Sequence, residues 1–316
     1  MPRRKSLVTV IGAMVREQVQ DAVQGLLGAV GGPKRKAKNG RRRRRKRRGP
    51  GQPPGGRRHE GGVGRRKEGW MDQVRIQFLG SGDAFGSGGR FQTCLHLSGP
   101  SEPVLIDCGA SSLIAMKQAG LDPSDIGCVL LTHLHGDHFG GLPFLILDGQ
   151  FSRRTRPLVV GGPPGVRERV EAAMEVLFPG SSKVERRFAV ELVELQERLP
   201  TLVGPATVTP FVVKHASGAP ADALRVEYGG KVITYSGDTE WTESLIEAAR
   251  AADLFVCEAY FFEKKIKYHL DYQTLRENRE HLDCRRIVLT HMSADMLRRR
   301  DEADMECADD GLVIVL

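Results

Sequence analysis

The chain of 316 residues has few cysteines, few aromatic residues and no long apolar segment. Its six cysteines are widely spaced and form no Cys-x-x-Cys pair, which argues against a structural zinc finger and against the disulfide framework of small secreted domains. No apolar run approaches the roughly 20 residues that a membrane-spanning helix needs. We therefore expect reduced thiols, a cytoplasmic location and no membrane partner.

Acidic residues are scarce in the first 70 positions. Residues 1–70 contain 21 lysines and arginines but 4 acidic residues, a net charge of +17. Since the whole chain carries +8, residues 71–316 carry −9. The first segment is rich in Arg, Gly and Pro and cannot bury enough apolar surface to offset its ordering entropy. We predict a disordered tail at 1–70 and one folded domain at 71–316.

The tail has three interpretations. It could be a polybasic arm for RNA or anionic surfaces, or a targeting segment, although it has no small-residue cleavage site. The third interpretation is a non-native N-terminal extension, because Met71 directly precedes the first predicted strand. We favour the third interpretation, with the polybasic arm second.

The most informative segment that is present is the run His133-Leu134-His135-Gly136-Asp137-His138, with four potential metal ligands in six residues. Neutral imidazole suits zinc, and a carboxylate among histidines suits a second or bridging cation. The apolar run 128–132 before it is typical of a buried strand, and 139–143 after it is typical of a tight turn. The ligands are therefore predicted on a loop at the C-terminal end of a strand.

Three further strand-like runs also end at a lone His or Asp. Residues 206–214 end at His215, 231–235 lead into Ser-Gly-Asp238-Thr, and 286–290 end at His291. Because one design is repeated beside the dense cluster, we predict that these side chains converge on one sheet edge. The seven predicted ligands are His133, His135, Asp137, His138, His215, Asp238 and His291.

The remaining periodicity predicts strands that alternate with helices, which implies sheets covered by helices. Strands are predicted at 74–79, 91–97, 103–107, 128–132, 157–160, 206–214, 223–228, 231–236, 254–257 and 286–290. Helices are predicted at 111–119, 165–178, 242–251 and 271–282. A hairpin is predicted through Gly229-Gly230.

The motifs His-x-His-x-Asp-His (133–138), Ser-Gly-Asp-Thr (236–239) and Leu-Thr-His-Met-Ser (289–293) resemble those of the metallo-β-lactamase superfamily. The resemblance is closest to its ribonuclease Z and phosphodiesterase branch, whose opening strands are similar to 78–84 and 105–109. It covers roughly residues 71–316. It implies an α/β fold, the four-layered αββα sandwich (metallo-β-lactamase fold), with the metals at one edge, and a homodimer.

The resemblance also implies two divalent metal ions, with zinc expected and manganese as the alternative. His133, His135 and His215 would bind the first ion. Asp137, His138 and His291 would bind the second, and Asp238 would bridge them. Two such cations lower the pKa of water and neutralise charge on a phosphoryl or carbonyl oxygen. Asp137 would also position or deprotonate the attacking water. A structural zinc site fits poorly, because such sites are closed with four ligands.

Glu258 and His269 resemble a pair in ribonuclease Z-like enzymes, in which a His oriented by a Glu acts as general acid. A carboxylate raises the pKa of the imidazole it contacts, which suits proton donation. The residues around the His depart from the family's Gly-His-Ser-Thr, since Tyr268 precedes His269 and Leu270 follows it. Asp107 is expected to be a buried hydrogen-bonding residue rather than a ligand.

The substrate is predicted from a missing segment. The tRNA 3′-end nucleases of this branch carry a long basic arm between the lone His and the Ser-Gly-Asp-Thr aspartate, but only 22 residues separate His215 from Asp238 here. The acidic body also opposes affinity for a polyanion. We predict a phosphodiesterase with a small anionic substrate, cyclic phosphodiesters included, and nucleic acid as a less favoured partner. The alternatives are a ribonuclease Z-like tRNA 3′ endonuclease and a β-lactamase- or lactonase-type acyl hydrolase.

Overall fold

Two seven-stranded mixed sheets lie at the centre of the fold. The computed structural model describes residues 73–316, so the predicted tail at 1–70 lies outside the described residues. The first sheet has the order β14-β1-β2-β3-β4-β5-β6. Its strands are β1 (Arg75–Gly80), β2 (Cys94–Ser98), β3 (Val104–Ile106), β4 (Cys128–Leu130), β5 (Leu158–Gly162), β6 (Val190–Glu194) and β14 (Val313–Val315).

The second sheet has the order β13-β12-β11-β10-β9-β8-β7. Its strands are β7 (Thr201–Val203), β8 (Ala206–Val213), β9 (Ala221–Tyr228), β10 (Lys231–Tyr235), β11 (Leu254–Glu258), β12 (Ile287–Thr290) and β13 (Glu306–Cys307). The predicted hairpin is confirmed between β9 and β10, where Lys231 pairs with Tyr228. Gly229 and Gly230 both have positive φ, as a two-residue hairpin turn requires.

Helices cover the outer face of each sheet. They are α1 (Ser112–Gln118), α2 (Gly136–Phe139), α3 (Leu142–Phe151), α4 (Val166–Leu177), α5 (Ser244–Ala249), α6 (Tyr272–Asn278) and α7 (Ala294–Arg299). Among residues 73–316, no helix combines the length and apolar character that a bilayer crossing requires.

Three apolar clusters hold the layers together. One lies between the sheets and contains Phe78 of β1 and Val226 of β9. A second joins the first sheet to α1, α3 and α4, and a third joins the second sheet to α5, α6 and α7. Since burial of a large apolar side chain contributes about 1.5–3 kcal/mol, these clusters fix four layers. The predicted αββα sandwich is confirmed.

The predicted elements and the observed elements differ in identifiable places. All ten predicted strands correspond to observed strands, but β6, β7, β13 and β14 were not predicted. The segment 139–143, predicted as a tight turn, contains the end of α2 and the start of α3. Pro143 lies in the first turn of α3, where the missing N–H of proline costs no hydrogen bond. A proline that indicated a turn therefore starts a helix.

Strand direction explains why the polar side chains meet. In the first sheet β3 and β4 are parallel, and in the second sheet β10, β11 and β12 are parallel. β8 runs in the same direction as β10, because both are antiparallel to β9. The carboxyl ends of parallel strands open onto a shared edge, where ligands usually bind. All the predicted site residues follow or end these strands.

Candidate metal centre

Three histidines from two separate segments meet at this edge. His133 and His135 follow β4, and His215 follows β8. The ring centroids of His133 and His135 lie 5.0 Å apart, and each is 4.8 Å from that of His215. Ligand atoms of the three side chains lie within 4.8 Å of one another. Three converging imidazoles are a donor set that suits zinc or another divalent transition metal.

A second group lies beside the first. Asp137 and His138 lie on α2, and His291 follows β12. The Oδ2 atom of Asp137 is 3.2 Å from Nε2 of both His138 and His291. With Asp238 these side chains form a buried cluster whose ligand atoms lie within 4.8 Å of one another.

Asp238 lies between the two groups and directs one oxygen toward each. Its Oδ2 is 3.9 Å from Nε2 of His133 and of His215. Its Oδ1 is 3.3 Å from Nε2 of His138 and 3.4 Å from Nε2 of His291. A carboxylate with this placement is suited to bridge two cations. The structure therefore brings all seven predicted ligand residues together.

The buried side chain of Asp107 orients two of the histidines. Its carboxylate accepts hydrogen bonds from Thr132 N and Thr132 Oγ1, both at 2.8 Å, and from His138 Nδ1 at 2.6 Å. Thr132 Oγ1 in turn accepts from His133 Nδ1 at 3.0 Å. Because Nδ1 is occupied in both rings, each presents Nε2 to the centre, as in carboxylate–histidine–metal arrangements. The expectation that Asp107 is a hydrogen-bonding residue is confirmed.

Unsatisfied buried atoms show that this cluster fits metal ions. His133 Nε2, His138 Nε2 and Asp238 Oδ1 are buried and make no hydrogen bond. A buried polar group without a partner costs about 1–3 kcal/mol, so three of them at one point need another interaction. Coordination of divalent cations would satisfy all three, and the donor set of imidazoles and carboxylates matches such cations.

The carboxylates control the charge of the cluster. Burial disfavours the imidazolium form of His138, but Asp238, Asp137 and Asp107 outweigh burial and raise its pKa. Burial would raise the pKa of Asp137, yet contacts with His138 and His291 lower it. These carboxylates therefore attract positive charge, and a ligand histidine has to lose its proton when a metal binds.

Glu258 and His269 form a hydrogen-bonded pair beside the cluster. Glu258 ends β11 and is fully buried, and its Oε2 lies 3.0 Å from His269 Nδ1. The His269 side chain remains 21% exposed. Burial would lower the pKa of His269, but Glu258 outweighs burial and raises it. Both residues also lie within 4.8 Å of Asp238 and His291 through their ligand atoms, so the pair adjoins the second ligand group.

Two contacts at this pair were not predicted from the sequence. The ring of Tyr260 stacks on the ring of His269, with centroids 4.7 Å apart. The backbone N–H of Thr239 donates to Glu258 Oε1. An aromatic residue two positions after Glu258 was a weak signal for the first contact. The sequence carries no signal for the second, because every residue except proline has a backbone N–H.

Backbone strain is concentrated at the centre. Among the described residues, six non-glycine residues have positive φ, and three of them lie at the site: Asp107 (φ 58°), Tyr268 (φ 71°) and His291 (φ 55°). Such conformations cost on the order of 1–3 kcal/mol each and persist where the surroundings fix them, often at functional sites. His291 is fixed in this way, since its N–H donates to the carbonyl of Ser81 at 3.1 Å.

Curated relatives and solved structures are similar to this chain over most of its length. Ribonuclease Z of Agathobacter rectalis is 28% identical over 264 residues, which is 67% of this chain and 85% of that protein. The short form of human tRNase Z has a TM-score of 0.61 and 26% identity, and covers 76% of this chain and 98% of its own. The metallo-β-lactamase fold protein YhfI of Bacillus subtilis has a TM-score of 0.64 and 18% identity, and covers 78% and 100%.

These similarities confirm the predicted superfamily and its ribonuclease Z and phosphodiesterase branch. They also confirm the prediction of a metal-dependent hydrolase. A sequence family described as Anti-Pycsar protein Apyc1 matches residues 74–311, which is nearly all of the described part. The chain therefore belongs to the Anti-Pycsar protein Apyc1 family.

Proposed function

We propose that this protein is a phosphodiesterase that uses two divalent metal ions to hydrolyse a small phosphodiester, cyclic diesters included. The observation that carries the proposal is Asp238, which directs one oxygen to each of two ligand groups, beside the His269–Glu258 pair. The two cations would lower the pKa of water and neutralise charge on the phosphoryl oxygens.

The residues of the centre divide into two ligand sets in this proposal. His133, His135 and His215 would hold the first ion. Asp137, His138 and His291 would hold the second, and Asp238 would contact both. Asp137 would also orient or deprotonate the attacking water; its lowered pKa keeps it ionised and able to accept a hydrogen bond from that water. We propose zinc as the native metal, with manganese as the alternative, because imidazoles outnumber carboxylates among the ligands.

His269 is the general acid in this proposal. Cleavage of a phosphodiester expels an alkoxide-like oxygen, and a proton delivered to it lowers the barrier. Glu258 occupies Nδ1 of His269, so Nε2 is the nitrogen that can donate to the leaving group. The raised pKa of His269 keeps the ring protonated nearer neutral pH. Acyl hydrolysis by a β-lactamase-type enzyme does not need this acid, so the pair favours the phosphodiester.

The size of the substrate is inferred from the segment between His215 and Asp238. Five residues connect His215 to the start of β9. The remaining residues form the hairpin of β9 and β10 and the short segment that leads to Asp238. The segment therefore has no room for an arm that could dock tRNA. The charge of −9 on residues 71–316 also weakens binding to a polyanion.

A ribonuclease Z-like tRNA 3′ endonuclease is the second candidate. The observation that favours it is the name of the curated relatives, several of which are called ribonuclease Z. The two candidates share the same metal centre and differ in what binds around it. Substrate comparison therefore separates them, and metal analysis does not.

We expect the protein loaded with zinc or manganese to cleave bis-p-nitrophenyl phosphate and a cyclic nucleotide far faster than precursor tRNA. The reason is the missing arm together with the acidic body. The measurement is kcat/KM for each substrate, with a β-lactam as the acyl substrate. Faster cleavage of precursor tRNA would favour the second candidate, and turnover of the β-lactam alone would favour an acyl hydrolase.

The same comparison with residues 71–316 alone is the control for the basic tail. We propose that the tail, residues 1–70, is dispensable for folding and turnover, because its sequence supplies no predicted ligand. The truncated protein should show the same order of substrates. Insolubility or loss of most activity would show that the boundary at residue 71 is wrong.

We also propose a homodimer, and an exposed apolar patch on α3 and α4 supports it. Phe151 is 78% exposed and lines one surface groove together with Leu177, and the preceding residue Val176 is 81% exposed. Contiguous exposed apolar side chains of this kind usually mark interaction sites. Light scattering should give twice the chain mass, and Val176→Asp should shift the mass toward the monomer. A monomeric mass for the unmodified protein would contradict the proposal.

A cytoplasmic location is the last part of the proposal. All six cysteines are free thiols in the structure, and Cys94, Cys108, Cys128 and Cys257 are buried. Reduced thiols are usual in a cytoplasmic protein. Thiol titration tests this assignment. Protein that is isolated without reductant and then unfolded should have six free thiols.

A further inference from the structure

We propose that Glu240 is a positioning residue. Through the peptide groups of Tyr268, it holds the metal ligand His215 and the acid His269 in fixed positions relative to each other. The inference rests on the proposed function for the role of His269, but its first readout is metal affinity, which does not depend on the substrate.

The two peptide groups of Tyr268 bind two different parts of the centre. The carbonyl oxygen of Tyr268 accepts a hydrogen bond from His215 Nδ1 at 2.8 Å. The N–H of Tyr268 donates to Glu240 Oε1 at 2.9 Å. A carbonyl only accepts, so His215 carries its proton on Nδ1 and presents Nε2 to the centre. Tyr268 thus orients a predicted ligand, and Glu240 orients Tyr268.

A tight turn makes this double contact achievable. Ile266 and His269 form an antiparallel bridge, so Tyr268 is the third residue of a four-residue turn. The φ of Tyr268 is 71°, a conformation that this turn position requires in type II turns and that favours glycine. The reversal at Tyr268 leaves the His269 side chain free to reach Glu258. One turn therefore serves the ligand and the acid together.

Glu240 belongs to a segment whose consecutive residues each hold part of the centre. Asp238 lies between the two ligand groups. The N–H of Thr239 donates to Glu258, and the side chain of Glu240 accepts from Tyr268. The segment after β10 therefore fixes the bridging carboxylate, the partner of the acid and the turn that carries the acid. A shift of the turn would move His215 and His269 together.

A plain surface ion pair is the competing interpretation of Glu240. Its Oε2 lies 2.7 Å from Lys214 Nζ, with the two side chains 25% and 60% exposed. Ion pairs this exposed contribute about 0–1 kcal/mol. If the ion pair were the role of Glu240, removal of Lys214 would have the same effect as removal of Glu240. In the positioning role only the acceptor for Tyr268 N–H matters.

The test compares Glu240→Ala with two matched variants, Glu240→Gln and Lys214→Met. Glu240→Ala should weaken zinc binding at one of two sites by about 10–100-fold, the range for removal of a group that orients a ligand, and leave the other site unchanged. Glu240→Gln retains an acceptor oxygen and should recover most of the affinity. Lys214→Met should bind zinc as the unmodified protein does. Zinc titration against a competing chelator measures both sites.

Tyr268 supplies a second, independent arm. Tyr268→Pro removes the N–H and fixes φ near −65°, so it should weaken the same zinc site as Glu240→Ala. Thermal unfolding checks that each variant is folded.

Two outcomes would overturn the proposal. One is wild-type zinc affinity at both sites in folded Glu240→Ala, and the other is an equal loss in Glu240→Ala and Lys214→Met. Failure of every phosphodiester to react would refute the proposed function and leave the zinc titrations to decide the role of Glu240.

Discussion

His269→Ala is expected to lower turnover of a phosphodiester with an alkoxide-like leaving group by roughly 10²–10⁴-fold, the usual contribution of a general acid. Both metal ions should stay bound. The expectation follows from the pair with Glu258 at 3.0 Å, the partial exposure of the His269 side chain and its raised pKa. Steady-state kinetics and metal analysis of the same preparation measure the two quantities.

The leaving group provides the control for this result. p-Nitrophenolate needs little protonation, so the loss in His269→Ala should shrink for bis-p-nitrophenyl phosphate. Glu258→Gln should cause a smaller loss with the same dependence, because Glu258 orients and charges the imidazole without contacting the substrate. A general effect on folding would lower the turnover of both substrates by the same factor.

The competing role for His269 is that of a metal ligand. Its ligand atom lies within 4.8 Å of those of Asp238, Glu258 and His291, so this alternative has a geometric basis. Loss of a metal ion in His269→Ala would establish it and would change the proposed ligand sets. An unchanged rate with every phosphodiester would refute the acid role and favour an acyl substrate.

Asp238→Ala is expected to reduce metal content from two equivalents toward zero. Asp238 directs one oxygen to each ligand group, so both sites lose a ligand together. Metal ions contribute several kcal/mol to stabilisation of the transition state, and each 1.36 kcal/mol is tenfold in rate. Turnover should therefore fall on the order of 10³-fold or more. Metal analysis of protein purified without chelator measures the content.

Asp301→Ala is the matched control, because the side chain of Asp301 is fully exposed and its ion pair is with Arg300, which is not a residue of the centre. It should keep two equivalents of metal and full turnover. Metal-replete unmodified protein that holds a single equivalent would contradict the dinuclear centre. Loss of one ion alone in Asp238→Ala would show that this carboxylate does not bridge.

The contacts around Tyr268 could not be predicted from the sequence. Tyr268 stands where the family motif has a glycine, but the sequence does not indicate what this difference means. In the structure the position has a positive φ, as glycine would favour, and its peptide groups bind His215 and Glu240. Every residue carries these peptide groups, so their partners depend on the path of the chain and leave no mark on residue type.

Strand prediction failed for a related reason. The strand β6 is an edge strand whose residues are exposed or half-buried on both faces, and its sequence Val-Glu-Leu-Val-Glu alternates for only three residues before Val193 interrupts the pattern that indicates a strand. The strands β7, β13 and β14 have two or three residues each, too few to show a period. Each forms because a neighbouring strand offers unpaired backbone groups. Only the assembled sheets determine that pairing.

The sequence by itself determined the chemistry of this protein and its layered fold. Imidazoles and carboxylates are identified by residue type, and their positions after apolar runs placed them at strand ends. The tertiary structure alone decided how those side chains are arranged, with Asp238 between two groups, Asp107 behind two histidines and Glu240 behind the turn at Tyr268. The physical reason is that side-chain chemistry and local periodicity are local properties of the chain, whereas distances between strand ends depend on packing of the two sheets.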